Sequence, residues 1–346
     1  MSLLNLPPEL IYAILDNIRE DRKLLCAVAH TCHALHDHVS PLLYSSVRIR
    51  DYVHLLSFAK TMLNNPNLAR LVNSFIGPLL PSRFAFQPVQ GWLQNIVNLK
   101  SLHVMIANHA SESPFPQVSF RLTSFEVSCY YGLAPIESFL ESQQDLVFFS
   151  PNAFRYLERR PLSPQACQKL KVLRGNIYAA RAILPGRRVA RFEWIYPQDE
   201  PVQVVAGLLS DISEQLNNLR SLSYRAAGAS TGIHSLYALP SYLQNLRFLE
   251  IQTMHPDDWS SISTLPNLRV LLVLEPSYVL MSVLDKPQRV IDLFSKCESL
   301  QRVDVGGRYY RNTLTCSRWL RGVEKPIVVS LHVAEHGRME FLDDLE

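Results

Sequence analysis

A chain of 346 residues, 47% of them hydrophobic and carrying a formal net charge of +3, is long enough to bury a sizeable core. So slight a positive balance is too small to imply a nucleic-acid footprint, and its densest basic spot, Arg187-Arg188 with Arg191, reads as a solvated strand edge or loop. The apolar run Val270 to Leu274 stops at Glu275-Pro276, far short of the ~20 residues a membrane-spanning helix needs. Six cysteines (Cys26, Cys32, Cys129, Cys167, Cys297, Cys316) have no framework spacing, and no signal peptide opens the chain. The expectation is a protein of a reducing compartment, cytoplasmic and/or nuclear, with free thiols, no cofactor, no nucleic acid and no membrane.

The chain opens with Leu6-Pro7-Pro8-Glu9-Leu10. Proline in the first helical turn gives up an amide that lacks a partner anyway, and Glu9 sits where the helix dipole favours negative charge. Leu10, Ile11, Ile14, Leu15 and Ile18 then share one helical face. Leu24, Leu25, Val28, Cys32, Leu35 and Val39 continue at helical spacing; Pro41 is expected to close that run, with Leu42-Leu43-Tyr44 as a short apolar coda. About 45 residues of helix cannot bury enough surface alone, so the apolar stripe calls for a partner or for the rest of the chain.

The stretch from Leu3 to Ile49 resembles an F-box, the three-helix module that docks on the Skp adaptor of SCF ubiquitin ligases. The match lies at Leu6-Pro7, Glu9-Leu10, Ile14-Leu15, Cys32 and Pro41-Leu42-Leu43; Leu35 keeps the apolar character of its position but departs from the tryptophan the family often carries there. The resemblance implies adaptor contacts at Leu6, Pro7, Leu10, Ile14 and Leu15, with Cys32 and Leu35 internal to the module.

Next, Tyr52 to Leu63 has helical register and is broken by Asn64-Asn65-Pro66-Asn67. Being apolar rather than Gly/Ser-rich, it is expected to join the parts rigidly.

Beyond residue 95 one short phrase recurs. Asn98-Leu99-Lys100-Ser101-Leu102-His103-Val104 returns at Asn218, Asn245 and Asn267, with weaker copies at Leu122, Leu146, Leu170, Val189 and Leu300. The first apolar positions are 99, 122, 146, 170, 189, 219, 246, 268 and 300, giving steps of 23, 24, 24, 19, 30, 27, 22 and 32. Alternating apolar residues suit a short strand, and each unit exposes a face that only the next can cover, so the units stack. Ile136–Leu140, Val202–Leu216 and Val290–Phe294 read as connecting helices. The pattern resembles degenerate leucine-rich repeats. The family's asparagine three residues past the last apolar position is missing, with Ala107, Tyr130, Ala227, Met254, Pro276 and Arg308 in its place.

The fold class expected is α/β: an N-terminal three-helix F-box, then an irregular leucine-rich-repeat solenoid of short parallel strands and helices. Its parts are 1–49 (F-box), 50–70 (connecting helix), 71–330 (repeats) and 331–346 (C-terminal tail). An F-box followed by such repeats resembles a class of fungal substrate receptors. This implies a non-catalytic subunit that reaches a cullin scaffold through the adaptor and holds a target protein on its repeats. Residues between the inward leucines, His103, Glu126, Arg174, Glu193, Glu250 and Asp304, are the expected target contacts, suited to a basic patch.

Other readings are weaker. Gly228-Ala229-Ser230-Thr231-Gly232 spells a nucleophile elbow, with Asp257 or Asp258 and His332 or His336 downstream, but Arg225-Ala226-Ala227 makes a poor buried strand before it. Cys26 with His30, or Cys32 with His36, could share a helix face for zinc, yet no second finger-like pair follows. An F-box protein working outside the ligase, and a plain repeat scaffold capped by its first helices, stay open.

Overall fold

A computed structural model describes residues 6–80, 90–106, 115, 118–129, 136–153, 161–196, 202–226, 239–251, 258–274, 287–310, 313–338 and 340. The protein is a mixed α/β chain of two compact units, Met1–Leu146 and Val147–Glu346.

The first unit begins with α1 (Pro8–Asp16), α2 (Arg22–Ala29) and α3 (His33–Ser45). Pro8 and Glu9 occupy the first turn of α1, as expected, and the Asp21 carboxylate caps α2 by accepting from the Leu24 amide at 3.0 Å. Ile11, Leu15, Leu25 and Val39 close a core, with Leu6, Ile18, Val28, Leu35, Leu42 and Leu43 packed against it. The second apolar run is therefore two helices, split at His30-Thr31-Cys32, and Pro41 does not end α3. Proline removes one helical amide, but Leu42 and Leu43 pack half-buried against the core by continuing the helix, and the Ser40 hydroxyl donates to the His36 carbonyl at 2.7 Å.

Strand β1 (Ser46–Arg48) follows α3 with no residue between, and pairs in parallel with β2 (Ser74–Leu80). Between them run α4 (Tyr52–Asn64) and α5 (Pro66–Ala69); α4 buries Leu55, Ala59 and Met62, and its Phe58 stacks on Phe75 with ring centroids 5.6 Å apart. Helix α6 (Gln90–Asn95), β3 (Ser101–Ile106), β4 (Ser124–Cys129) and α7 (Glu137–Ser142) complete the unit, with β2, β3 and β4 parallel in chain order.

The second unit carries β5 (Phe148–Ala153), β6 (Val172–Gly175), β7 (Arg191–Tyr196), β8 (Ser221–Ala226), β9 (Phe248–Ile251), β10 (Val270–Leu274) and β11 (Arg302–Tyr310), each parallel to the next. Helices α8 (Ile177–Ile183), α9 (Val202–Asp211), α10 (Ser213–Asn217), α11 (Asp258–Ile262) and α12 (Pro287–Lys296) lie in the connections. β12 (Thr313–Leu320) and β13 (Ile327–Ser330) then turn antiparallel, and α13 (Leu331–Glu335) follows. Phe149, Leu173, Phe192, Leu222, Leu249, Leu271 and Val303 form one register row of buried side chains. Each contributes roughly 1.5–3 kcal/mol relative to an exposed position.

A backbone spine repeats with the strands. The carbonyls of Val147, Lys171, Ala190, Arg220, Arg247 and Arg269 each accept two successive amides that open the following strand. The asparagine that starts the recurring phrase adds a side-chain rung: Asn98 donates to the Arg70 carbonyl at 2.7 Å, Asn245 to Asn217 at 2.9 Å and Asn267 to Gln244 at 2.7 Å. Ser299 fills the same slot before Leu300 and donates to the Leu268 carbonyl at 2.8 Å. The asparagine ladder thus lies at the start of the phrase, not three residues past its end.

Candidate functional site

The first helix divides its apolar residues between two directions. Ile11 and Leu15 point into the three-helix core, while Leu10 is 51% exposed and Ile14, one turn on, is 42% exposed. Pro7 is exposed beside them, and Leu24 on α2 is 44% exposed. Leu10 and Ile14 at i, i+4 therefore form an uncovered apolar stripe on a module whose own core is already closed. Of the five adaptor contacts expected, Pro7, Leu10 and Ile14 are open to a partner and Leu6 is half-buried. Leu15, 1% exposed, belongs to the core, because it falls on the face that meets Leu25 and Val39. Leu35 is half-buried against the core, and Cys32 is half-buried as the residue preceding α3.

The expected target residues fall in two register rows, one within each unit. His103 pairs with Glu126 across β3 and β4, their side chains 3.7 Å apart, His103 exposed and Glu126 half-buried. In the second unit Arg174, Glu193, Ser223, Glu250, Leu272, Asp304 and Arg318 are successive register partners from β6 to β12. Most of that row is covered. Glu250 and Asp304 are fully buried and Glu193 nearly so, so none is a free carboxylate awaiting a basic target.

The cover is the end of the chain that the sequence suggested was a tail. The Ser330 hydroxyl caps α13 from the Val333 amide, and Ala334 packs with Phe248, Val270, Leu272 and Cys316. A 3-10 turn, His336–Arg338, brings Arg338 onto Glu250, which also accepts from the Ser223 hydroxyl at 2.7 Å. Arg318 binds Asp304 through two hydrogen bonds of 2.8 and 2.9 Å, with Arg302 at 3.3 Å. Glu193 lies against Arg191 and within 3.8 Å of Arg174. Burial alone would lower the Arg338 pKa, but the hydrogen bonds and charge of Glu250, with Glu335 and Glu193 nearby, outweigh it and raise it. The Asp304 pairing likewise raises that of Arg318. Burial, aided by the Asp304 charge, pushes the Cys316 thiol up to about 12.

Arg187, read from the sequence as solvated, is buried. Its guanidinium donates to the carbonyls of Ala166 at 2.9 Å, Pro185 at 3.0 Å, Ser163 at 2.5 Å and Ile183. It thus ties the end of α8 to the preceding turn, where Cys167 holds a positive φ of 50°. Burial lowers the Arg187 pKa and pushes the Cys167 thiol up to about 11.

The remaining chemistry does not assemble. Gly228–Gly232, with Ser230, and Asp257 lie outside the described residues. His36 stands 3.6 Å from Asp37 and the His38 ring packs edge-on against Tyr12. Among the described residues no group of three or more His, Cys, Asp or Glu side chains could hold a metal ion, and no helix is long and apolar enough to cross a membrane. Compared with models of known protein families the chain matches none, and no curated protein shows significant similarity to it.

Proposed function

We propose that the protein is the substrate-receptor subunit of an SCF-type ubiquitin ligase, docking the Skp adaptor through α1–α3 and a target protein through its strand-and-helix repeats. The observation that carries this reading is the exposed Leu10–Ile14 stripe on a helical module with a closed core of its own. A stripe left over after the core is complete is free to bury itself against a partner. The F-box resemblance names that partner as the adaptor, and through it the cullin scaffold. The protein does no bond chemistry in this role; it raises the local concentration of a target beside the ligase. His103 is the expected target contact that remains open, with Glu126 and Arg174 half-open. Co-expression with the adaptor, beside a Leu10→Asp/Ile14→Asp variant, tests the proposal: wild type co-purifies and the variant does not.

One observation favours a second reading. Because α3 runs directly into β1, the helices can serve as the N-terminal cap of a repeat scaffold, a role that needs no adaptor. A monodisperse protein indifferent to the adaptor would select it.

A further inference from the structure

The imidazole of His332 on α13 and that of His336, which caps the end of α13 and opens the 3-10 turn, face each other one helical turn apart, with their Nε2 atoms hydrogen-bonded at 3.0 Å. Both rings are exposed and stand edge to face, centroids 4.4 Å apart. Two nitrogen ligands at metal–nitrogen distances of about 2.0–2.1 Å lie roughly 2.9 Å apart when the bonds meet at a right angle, and roughly 3.4 Å apart at the tetrahedral angle. That separation is a hydrogen-bond length between the two rings, and a cation that takes the place of the bridging proton at a similar separation is held near a right angle, which suits Cu2+ or Ni2+ better than Zn2+. The neighbouring carboxylate, Glu335, is engaged by Arg338 at 2.9 Å, so among the described residues the pair stands as two nitrogen ligands with no third protein ligand beside them.

We propose that His332 and His336 are a two-ligand chelating site for a late first-row divalent cation. The helix supplies the preorganisation: residues at i, i+4 project on one side, and α13 is held by its Ser330 cap and by Ala334 in the core. His336 also opens the turn that ends at Arg338 on Glu250, so an ion bridging the two rings fastens the segment covering the carboxylate row. This inference does not depend on the ligase reading.

The test is titration of the metal-free full-length protein with Cu2+ and Zn2+ by calorimetry, beside a His332→Ala/His336→Ala variant and the single His332→Gln. The proposal expects one site in the wild type that is absent in the double variant, weakened roughly 10²-fold or more in the single variant as the chelate is lost, and tighter for Cu2+ than for Zn2+. Equal uptake by wild type and double variant would overturn it by placing the binding on other histidines, and so would no uptake by the wild type. Should the double variant fail to fold, the Cu2+ EPR spectrum of the wild type decides: hyperfine structure from two imidazole nitrogens supports the site, and its absence overturns it.

Discussion

Arg338 grips the Glu250 carboxylate with two hydrogen bonds, Nε to Oε2 at 2.6 Å and Nη2 to Oε1 at 2.7 Å, across a sequence separation of 88 residues. The carboxylate is fully buried, and this clasp joins the last helical turn of the described chain to the middle of the parallel strands. Removing the guanidinium leaves a charge with no water to receive it. Arg338→Ala is therefore expected to cost about 3 kcal/mol, read as a drop in the urea midpoint, and Glu250→Lys to be worse still. A midpoint unchanged in Arg338→Ala would mean that the clasp does not hold the segment down.

The asparagine rungs predict a smaller, distributed effect. Asn245→Ala and Asn267→Ala each remove one side-chain bond to the preceding connection, and each is expected to cost about 0.5–1.5 kcal/mol in urea unfolding. Tolerance of both without loss would show the rungs to be incidental.

Gly306 is required by a close approach. A methyl group at this position would collide with Sγ of Cys316 on β12. Gly306→Ala should lower the melting temperature by several degrees, and Gly306→Ala/Cys316→Ala should recover part of that loss. No recovery in the double variant would sink the steric explanation.

Cys316 and Cys167 also make an alkaline prediction. Their folded-state pKa values, about 12 and about 11, lie above the ordinary 9.0 that the unfolded chain would show. Unfolding is then favoured as soon as the unfolded thiols ionise, so the stabilising difference is whole below pH 9.0 and lost as pH rises toward 11–12. Stability measured from pH 8 to pH 11 should fall less steeply in a Cys167→Ala/Cys316→Ala variant, each value taken relative to the variant's own at pH 8. In the native protein a thiol reagent should label exposed Cys26 and spare both buried thiols until denaturant is added.

Much of this architecture was legible because local pattern and tertiary role coincide. Phe192, Leu222, Leu249 and Leu271 are apolar at strand period and are buried in register. The Pro8-Glu9 start of α1 follows from backbone chemistry alone. Legibility ended where partners come from far along the chain. Nothing near Glu250 announces that Arg338 will cover it, so a residue in the right row was read as open when it is sealed. Arg187 misled for a related reason: four carbonyls satisfy it, and carbonyls have no sequence signature. Pro41 read as a stop because one lost amide is a local cost, whereas the Leu42 and Leu43 burial that offsets it is tertiary. The phrase-initial asparagines were visible as repeats, but their bonding to the preceding connection was not.

The central claim rests on the helical module, and charge placement separates its surface from its core. Leu10→Asp/Ile14→Asp alters exposed positions and should shift stability by no more than about 1 kcal/mol for the pair, whereas Leu15→Ala in the core should cost about 2–5 kcal/mol. The most direct measurement is the affinity of the purified protein for the Skp adaptor, wild type beside the Leu10→Asp/Ile14→Asp variant, with both shown to be folded. The account predicts a stable one-to-one complex with wild type and its loss in the variant. A folded wild-type protein that does not bind the adaptor, or a variant that binds it equally well, would contradict it.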